Sequence, residues 1–289
     1  MTVQPPRHVI RFYGNPQYAL ESIRFKEITF LHRDKLNDPF DPPFYFLTDF
    51  DNNYEKLIKH VKRYHSGNFQ LFKQMLPKES WENYLTKIEK KFSENSNGSF
   101  IFSTSGIDNK GHPRDSLYMW GHYGKGFRGV AIEFDTTLLK RAVLKSLGKP
   151  ETEQTNPIYN VHYQNNMPRI TCESIYQTII KIAEKYDDLE LLYETELFKI
   201  LNLILSSKSV EWKKEKEWRF ILRDDKNVLK ILKLCLEDDA IIALYLGCRT
   251  DDQVKDDLIF ETKHKFPKAK IYESKMVRGD FKLKFELLS

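Results

Sequence analysis

The sequence predicts an α+β protein with a mixed or mostly antiparallel central sheet and helical insertions, folded as a single domain over residues 1–289. Segments with strand-like alternation cluster near the start, middle and end of the chain, and segments with helical spacing lie between them. No Pro- or Gly-rich linker divides the chain. Hydrophobic residues make up 40% and aromatic residues 13%, which excludes a dominantly disordered protein.

The first elements follow from local pattern. Residues 8–14 (HVIRFYG) and 28–31 are typical of short strands, and residues 17–24 between them are typical of a helix. Residues 37–43 (NDPFDPP) predict a turn or loop, since Pro donates no backbone hydrogen bond and Asn and Asp favour turns.

Two longer segments have helical periodicity. In the first, about 51–95, apolar residues recur at i, i+3 and i+4, as at Tyr54, Leu57 and Val61. The second covers about 172–208 and is amphipathic. We therefore expect a helical insertion and a later helical segment.

The remaining elements alternate. Asp135 provides an N-cap for a helix over 136–147, and residues 240–247 (AIIALYLG) are nearly all apolar, which predicts a central strand. A further helix is expected at 251–264, and strands are expected at 99–105, 127–134, 160–163, 217–222, 270–273 and 282–287.

Charge and composition limit the partners and the compartment. The 46 basic and 41 acidic residues give a mixed surface of net charge +5, so a nucleic-acid partner is allowed but not required. The three cysteines lack metal spacing, and no apolar run reaches the ~20 residues of a membrane span. The N-terminus also lacks a signal-peptide pattern. We expect a cytoplasmic protein with no membrane partner.

Histidine spacing gives no indication of a metal. His112, His122 and His162 are not related by i, i+3 or i, i+4. We therefore expect no metal cofactor.

The charged run around Glu217 is the most informative candidate site. In a strand, period two places Glu215, Glu217 and Arg219 on one face and points Trp218 and Phe220 the other way. Two carboxylates roughly 7 Å apart can divide catalytic work, one holding a substrate hydroxyl and the other acting as a base. The alternative is a charged surface in which Arg219 pairs with a neighbour.

Other polar residues are candidates for binding. Ser103 shares a strand face with Ser105, and such a hydroxyl pair can orient a carboxylate, although an ordinary strand end has the same pattern. Arg11 lies in the first predicted strand and could clamp a phosphate. Asn37 and Asp38, in the predicted turn, are further candidates.

Residues 119–126 (MWGHYGKG) combine aromatic rings with glycines. Trp120, His122 and Tyr123 could form a binding loop in which a flat ring stacks on a base or a pyridine ring. The alternative is a packed turn whose Trp120 and Tyr123 fill the core.

In order, several of these segments resemble the domain of unknown function 2971 family. The resemblance covers about residues 9–275, and residues 51–95 are similar to a variable insertion. It depends on residues 36–41 (LNDPFD), 119–124 (MWGHYG), 127–135 (FRGVAIEFD), 214–219 (KEKEWR) and the apolar strand ending at Gly247. The family implies no activity.

A second resemblance concerns mechanism. The order of Arg11, residues 103–105 (STS) and residues 215–217 (EKE) is similar to that of ADP-ribosyltransferases of the Arg–Ser–Glu type. This resemblance implies that Arg11 binds the NAD diphosphate and that Ser103 orients Glu217. Glu217 would hold the ribose 2′-hydroxyl and stabilise the oxocarbenium-like transition state.

The same resemblance implies that Glu215 activates the acceptor and that Tyr123 or Trp120 stacks on nicotinamide. The sequence thus predicts an NAD-dependent ADP-ribosyltransferase or NAD glycohydrolase, acting as a bacterial effector or phage-defence protein. NAD would be a substrate, and a macromolecule could be the acceptor. The alternative is a non-catalytic nucleotide- or nucleic-acid-binding module.

Overall fold

The computed structural model describes residues 4–36, 38, 47–107, 111–148, 157–185, 202–223 and 231–288. The chain divides into two compact units. The sheet unit comprises residues 1–35, 100–161 and 211–289, and the helical unit comprises residues 36–99 and 162–210. The single domain expected from the sequence stays a prediction.

The strands are numbered along the chain. They are β1 (His8–Tyr13), β2 (Glu27–His32), β3 (Leu47–Thr48), β4 (Ser99–Gly106), β5 (Val130–Asp135), β6 (Ile158–Asn160), β7 (His162–Gln164), β8 (Arg169–Ile170), β9 (Ser207–Ser209), β10 (Glu217–Arg223), β11 (Ile231–Cys235), β12 (Ile241–Leu246), β13 (Lys270–Met276) and β14 (Leu283–Leu287).

The helices are numbered in the same way. They are α1 (Pro16–Phe25), α2 (Tyr54–Tyr64), α3 (Phe69–Met75), α4 (Lys78–Asn97), α5 (Leu117–His122), α6 (Thr136–Ser146), α7 (Cys172–Lys185) and α8 (Asp252–Lys265).

A mixed, mostly antiparallel sheet forms the centre of the sheet unit, which confirms the predicted fold class. Among the described residues it has ten strands, in the order β11-β2-β4-β1-β5-β12-β13-β14, with β10 paired to β4 and β6 paired to β10. β12 and β13 run parallel, whereas β1 is antiparallel to β4 and β5, and β12 is antiparallel to β5. The apolar β12 lies between two strands, as its composition predicts.

Side-chain caps fix the starts of two helices that pack on this sheet. The Asp135 carboxylate accepts hydrogen bonds from the backbone N–H groups of Thr137 and Leu138, which confirms the predicted N-cap of α6. The Asn15 side chain accepts from the Gln17 N–H at the start of α1. Each cap satisfies N–H groups that have no partner within the helix.

The two faces of the sheet have different cores. On the helix-covered face, alternate strand residues such as Val9, Phe102 and Ile132 pack with residues of α1, α6 and α8 such as Leu20. On the second face, residues such as Ile10 pack with Met119, Trp120 and Tyr245. Period two in the strands produces this division.

The helical unit has its own core. Residues of α2, α3, α4 and α7 form it, among them Leu57, Phe72, Trp81, Ile175 and Ile179. Two short parallel strand pairs, β3–β8 and β7–β9, complete the unit.

The predicted helical segments correspond to parts of this unit. The insertion predicted at about 51–95 contains α2, α3 and α4. Within the segment predicted at about 172–208, α7 and residues 202–205 are helical, and β9 begins at Ser207. In the part of the chain that the structure describes, no helix is both long and apolar enough to cross a membrane.

Candidate active site

Glu217 and Arg219 form a buried ion pair on β10. Arg219 Nε lies 2.8 Å from Glu217 Oε1, and Nη2 lies 3.1 Å from Oε2, so the pairing is bidentate. Both residues are buried, with Arg219 at 0% exposure. Trp218 and Phe220 belong to the core of the helix-covered face. The predicted strand phase is therefore confirmed, and the pair is buried rather than on a solvated surface.

Glu215 lies just before the strand. It ends a 3-10 helix over Val210–Glu215, and Lys216 has φ 48°, so β10 begins only at Glu217. The buried Glu215 carboxylate accepts a hydrogen bond from the Tyr123 hydroxyl at 2.5 Å. The segment thus contains two buried carboxylates, and each has a different identified partner.

The side chain of Arg11 contacts the backbone of Ser103. Arg11 Nη1 donates to the carbonyl oxygen of Ser103 at 2.9 Å, and the guanidinium lies 4.5 Å from the centre of the Phe102 ring. Because side chains alternate along β4, the Ser103 side chain points away from the Phe102 face. Burial lowers the pKa of Arg11, against opposing contributions from Tyr13 and Glu217.

Arg11, Ser103 and Glu217 lie on neighbouring strands. β4 pairs with both β1 and β10, so the three sequence motifs occupy adjacent positions in the sheet. Alternation places Ser103 and Glu217 on the second face, opposite Phe102 and Trp218. Arg11 pairs in register with Ile132 of the helix-covered face, so its side chain leaves the sheet on that other face.

The aromatic segment is a short helix followed by a turn, where the sequence leaves a binding loop and a packed turn open. Trp120 in α5 is fully buried, and its Nε1 donates to the Arg114 carbonyl at 2.6 Å. The centre of its ring lies 5.2 Å from the centre of the Phe12 ring and 6.4 Å from that of the Phe127 ring. Trp120 therefore fills the core, as the alternative interpretation has it.

The two other aromatic candidates are more accessible. His122 is exposed, with its ring 4.5 Å from that of Tyr118. Tyr123 is half-buried. Tyr123 therefore reaches Glu215 from a position at the edge of the core.

Two glycines allow close backbone approach beside this segment. A Cβ added at Gly129 would lie 2.2 Å from the Tyr13 carbonyl oxygen, and one at Gly247 would lie 2.3 Å from the Phe127 carbonyl oxygen. Because both residues lack a side chain, the turn after α5 can lie directly against the ends of β1 and β12. Only glycine fits at such distances.

Of the two binding residues predicted in the turn, the structure describes Asp38. Asp38 is buried and belongs to the helical unit. Asn37 lies outside the described residues. Their predicted part in ligand binding stays a prediction.

A second buried carboxylate cluster was not predicted. Glu133 Oε1 lies 2.8 Å from His8 Nδ1, and Oε2 accepts from the Tyr245 hydroxyl at 2.6 Å and lies 3.3 Å from His112 Nε2. Arg114 donates to the Tyr245 hydroxyl at 3.0 Å. Burial alone would raise the pKa of Glu133, but hydrogen bonds from His112 and Tyr245 and the charges of both histidines lower it overall.

These residues line a cavity of about 550 Å³. Its wall includes the basic residues His8, His112, Arg114, Lys268 and Lys270 and two acidic residues, Glu133 and Asp239. The one sequence signal for this site is a charged residue inside the apolar run 130–134 (VAIEF). The excess of basic groups suits an anionic ligand.

Part of the chain matches one family model. Residues 119–220 match the family model described as Protein of unknown function (DUF2971). This match confirms the resemblance over that part of the chain. No curated protein and no solved structure matches the chain.

The DUF2971 match contains much of the candidate site. Trp120, Tyr123, Glu133, Glu215 and Glu217 lie within it. The motif at 36–41 and the strand ending at Gly247 lie outside it, as do Arg11 and Ser103. The family description assigns no activity, so the chemistry has to be argued from the site.

Proposed function

We propose that this protein cleaves the N-glycosidic bond of NAD and transfers ADP-ribose to an acceptor or to water. The observation that carries the proposal is the pair of buried carboxylates, Glu215 and Glu217, at the entry to β10. Ser103 on the adjacent strand supports it, since alternation directs its hydroxyl to the face of Glu217.

Glu217 supplies the negative charge that stabilises the ribose in the transition state. When the bond between the ribose C1′ and nicotinamide breaks, its electron pair leaves with nicotinamide and positive charge develops on the ribose. A fixed carboxylate stabilises that charge. Arg219 occupies one lone pair on each Glu217 oxygen. In the proposed complex the Glu217 carboxylate also accepts a hydrogen bond from the ribose 2′-hydroxyl.

Glu215 serves as the base. The acceptor's oxygen forms the new bond to C1′, and its proton passes to the Glu215 carboxylate. The Tyr123 hydroxyl holds that carboxylate in place through the 2.5 Å hydrogen bond. In this proposal Tyr123 is a positioning residue, and its stacking on nicotinamide stays a prediction of the sequence resemblance.

Arg11 contributes positive charge on the strand next to Ser103. Its guanidinium leaves the sheet on the face opposite Glu217, so its binding of the NAD diphosphate stays a prediction of the sequence resemblance. The consumption of NAD suits an effector or phage-defence protein in the cytoplasm. The three cysteines are free, as a reducing compartment would require.

The test is nicotinamide release from NAD, with and without cell lysate. Glu217→Gln keeps the size of the side chain but removes its charge, so release should fall by more than about 100-fold. Glu215→Gln should slow nicotinamide release less when water is the acceptor than when a molecule of the lysate is the acceptor. Glu211→Gln, at an exposed position in the same segment, should behave as wild type. Equal release from wild type and Glu217→Gln would refute the assignment.

The cavity around Glu133 favours a second candidate function, nucleotide or nucleic-acid binding without turnover. Its basic lining would pair with phosphate groups. Calorimetry with ADP-ribose and with single-stranded RNA separates these ligands, and Lys270→Ala should weaken both. A steep loss of affinity with salt would favour nucleic acid, because phosphate contacts release counterions. Absence of binding at low salt would exclude this function.

A further inference from the structure

The helical unit contains a cluster of two histidines and a glutamate. His65 Nε2 lies 2.6 Å from Glu173 Oε2, and His60 Nε2 lies 3.4 Å from the same oxygen. One ligand atom from each residue lies within 4.8 Å of the others. Among the described residues, no other group of three potential metal-binding side chains meets this condition.

We propose that His60, His65 and Glu173 bind one Zn²⁺ ion. Two imidazole nitrogens and a carboxylate oxygen are donors that Zn²⁺ prefers, and three protein ligands leave a fourth position for water. With Zn–N and Zn–O distances near 2.1 Å, tetrahedral ligand atoms lie roughly 3.4 Å apart. The His60–Glu173 contact has this length, and the His65–Glu173 contact reaches it by a small side-chain movement.

Neighbouring side chains already orient two of the three ligands. Gln177 Nε2 donates to the other Glu173 oxygen, Oε1, at 2.8 Å. The Tyr176 ring stacks on His65 with centroids 3.7 Å apart, and Asn68 donates to the Tyr176 hydroxyl at 3.0 Å. Such contacts fix ligand geometry and raise metal affinity.

The three ligands come from separate segments of the helical unit. His60 lies in α2, His65 directly after it, and Glu173 in the first turn of α7. A bound ion would therefore join α2 to α7, and we expect it to stabilise the helical unit. The five-residue spacing of the histidines and a partner 108 positions from His65 explain why sequence spacing indicates no metal site.

The experiment uses the full chain, purified without an affinity tag and freed of metal with a chelator. Zn²⁺ is titrated against a chromophoric chelator, and thermal unfolding is measured with and without the ion. Wild type should bind one equivalent and unfold at a higher temperature with Zn²⁺. Co²⁺ in place of Zn²⁺ should give the visible absorption of a tetrahedral site.

Variants assign the binding to this cluster. His65→Ala and Glu173→Gln should each weaken Zn²⁺ binding by more than about 10-fold. His162→Gln, which changes an exposed histidine of the same unit, should bind as wild type. Should His65→Ala fail to fold, His60→Asn provides the test, because its contact is the longer one.

Two results would overturn the proposal. One is a wild-type protein that binds no Zn²⁺ at micromolar concentrations, in which case the cluster is a His–Glu ion pair. The other is unchanged Zn²⁺ affinity in all three ligand variants. Neither result depends on the proposed cleavage of NAD.

Discussion

Tyr123 and Glu215, 92 positions apart in the chain, are joined by a 2.5 Å hydrogen bond from the phenol to a buried carboxylate. The contact joins the aromatic segment after α5 to the charged segment before β10. Both lie within the region that matches DUF2971. The hydroxyl thus gives Tyr123 a contact in addition to the packing of its ring against the core of the second face.

Replacement of Tyr123 by Phe should therefore lower the rate of NAD cleavage more than it lowers stability. A hydrogen bond to a charged group contributes about 1.5–3 kcal/mol, so kcat should fall about 10- to 100-fold. KM for NAD should change little, since the Glu215 carboxylate acts on the acceptor. Tyr18→Phe, at a position 62% exposed, is the matched control. Unchanged kcat would refute the positioning role.

Trp218→Ala should destabilise the sheet unit by about 3–5 kcal/mol. Trp218 is 7% exposed and packs in the core of the helix-covered face, where it also contacts the Gly106 backbone region. Chemical denaturation monitored by far-UV circular dichroism would measure the loss. Phe281→Ala, at a site 94% exposed, should change stability by less than about 0.5 kcal/mol. Equal midpoints for the two variants would contradict the observed strand phase.

Much of the sheet could be predicted from the sequence because its strands have a simple period. The alternation around Glu217 places Trp218 and Phe220 in the core, and Asp135 caps α6 as expected. β11 was missed. It is a five-residue edge strand on β2 in which only Leu232 and Leu234 face the core, and the exposed Ile231 and Cys235 obscure the alternation.

Gly129→Ala should also lower the free energy of unfolding, by about 1–3 kcal/mol. The added Cβ would lie 2.2 Å from the backbone oxygen of Tyr13, which cannot move without disturbing β1. Gly121→Ala is a close control, because nothing lies within 4 Å of a Cβ at that position in α5. Thermal unfolding of the two variants would measure the difference. A Gly129→Ala protein as stable as Gly121→Ala would show that the backbone contact is absent.

Glu133→Gln should reduce stability at neutral pH by about 1–3 kcal/mol, and this difference should shrink in acid. The folded-state pKa of Glu133 lies below the ordinary value of 4.5. Its contribution is therefore present above that value and is lost as the pH falls through the lowered pKa.

Denaturation of both proteins from about pH 7 to about pH 3 would measure the difference. Glu237→Gln, which removes an exposed partner of Arg141, should show a much smaller effect. If the difference in unfolding free energy between wild type and Glu133→Gln stays constant over this pH range, Glu133 does not titrate as a buried carboxylate.

The two clusters that the sequence does not reveal depend on contacts between distant segments. Glu133 meets His8, His112 and Tyr245 only through strand pairing and the turn before α5. Glu173 meets His65 only when α7 packs on the end of α2. Local periodicity contains no information on such pairings, whereas the neighbouring positions of Glu215 and Glu217 are visible in the sequence itself.

The most direct test of the proposed function compares nicotinamide release from NAD by wild type and by Glu217→Gln, with both proteins shown to be folded. The account predicts steady release by wild type in the presence of an acceptor and a loss of more than about 100-fold in the variant. Equal release by both proteins, or none by wild type with any acceptor, would contradict it, and the Glu217–Arg219 pair would then be a structural ion pair of β10.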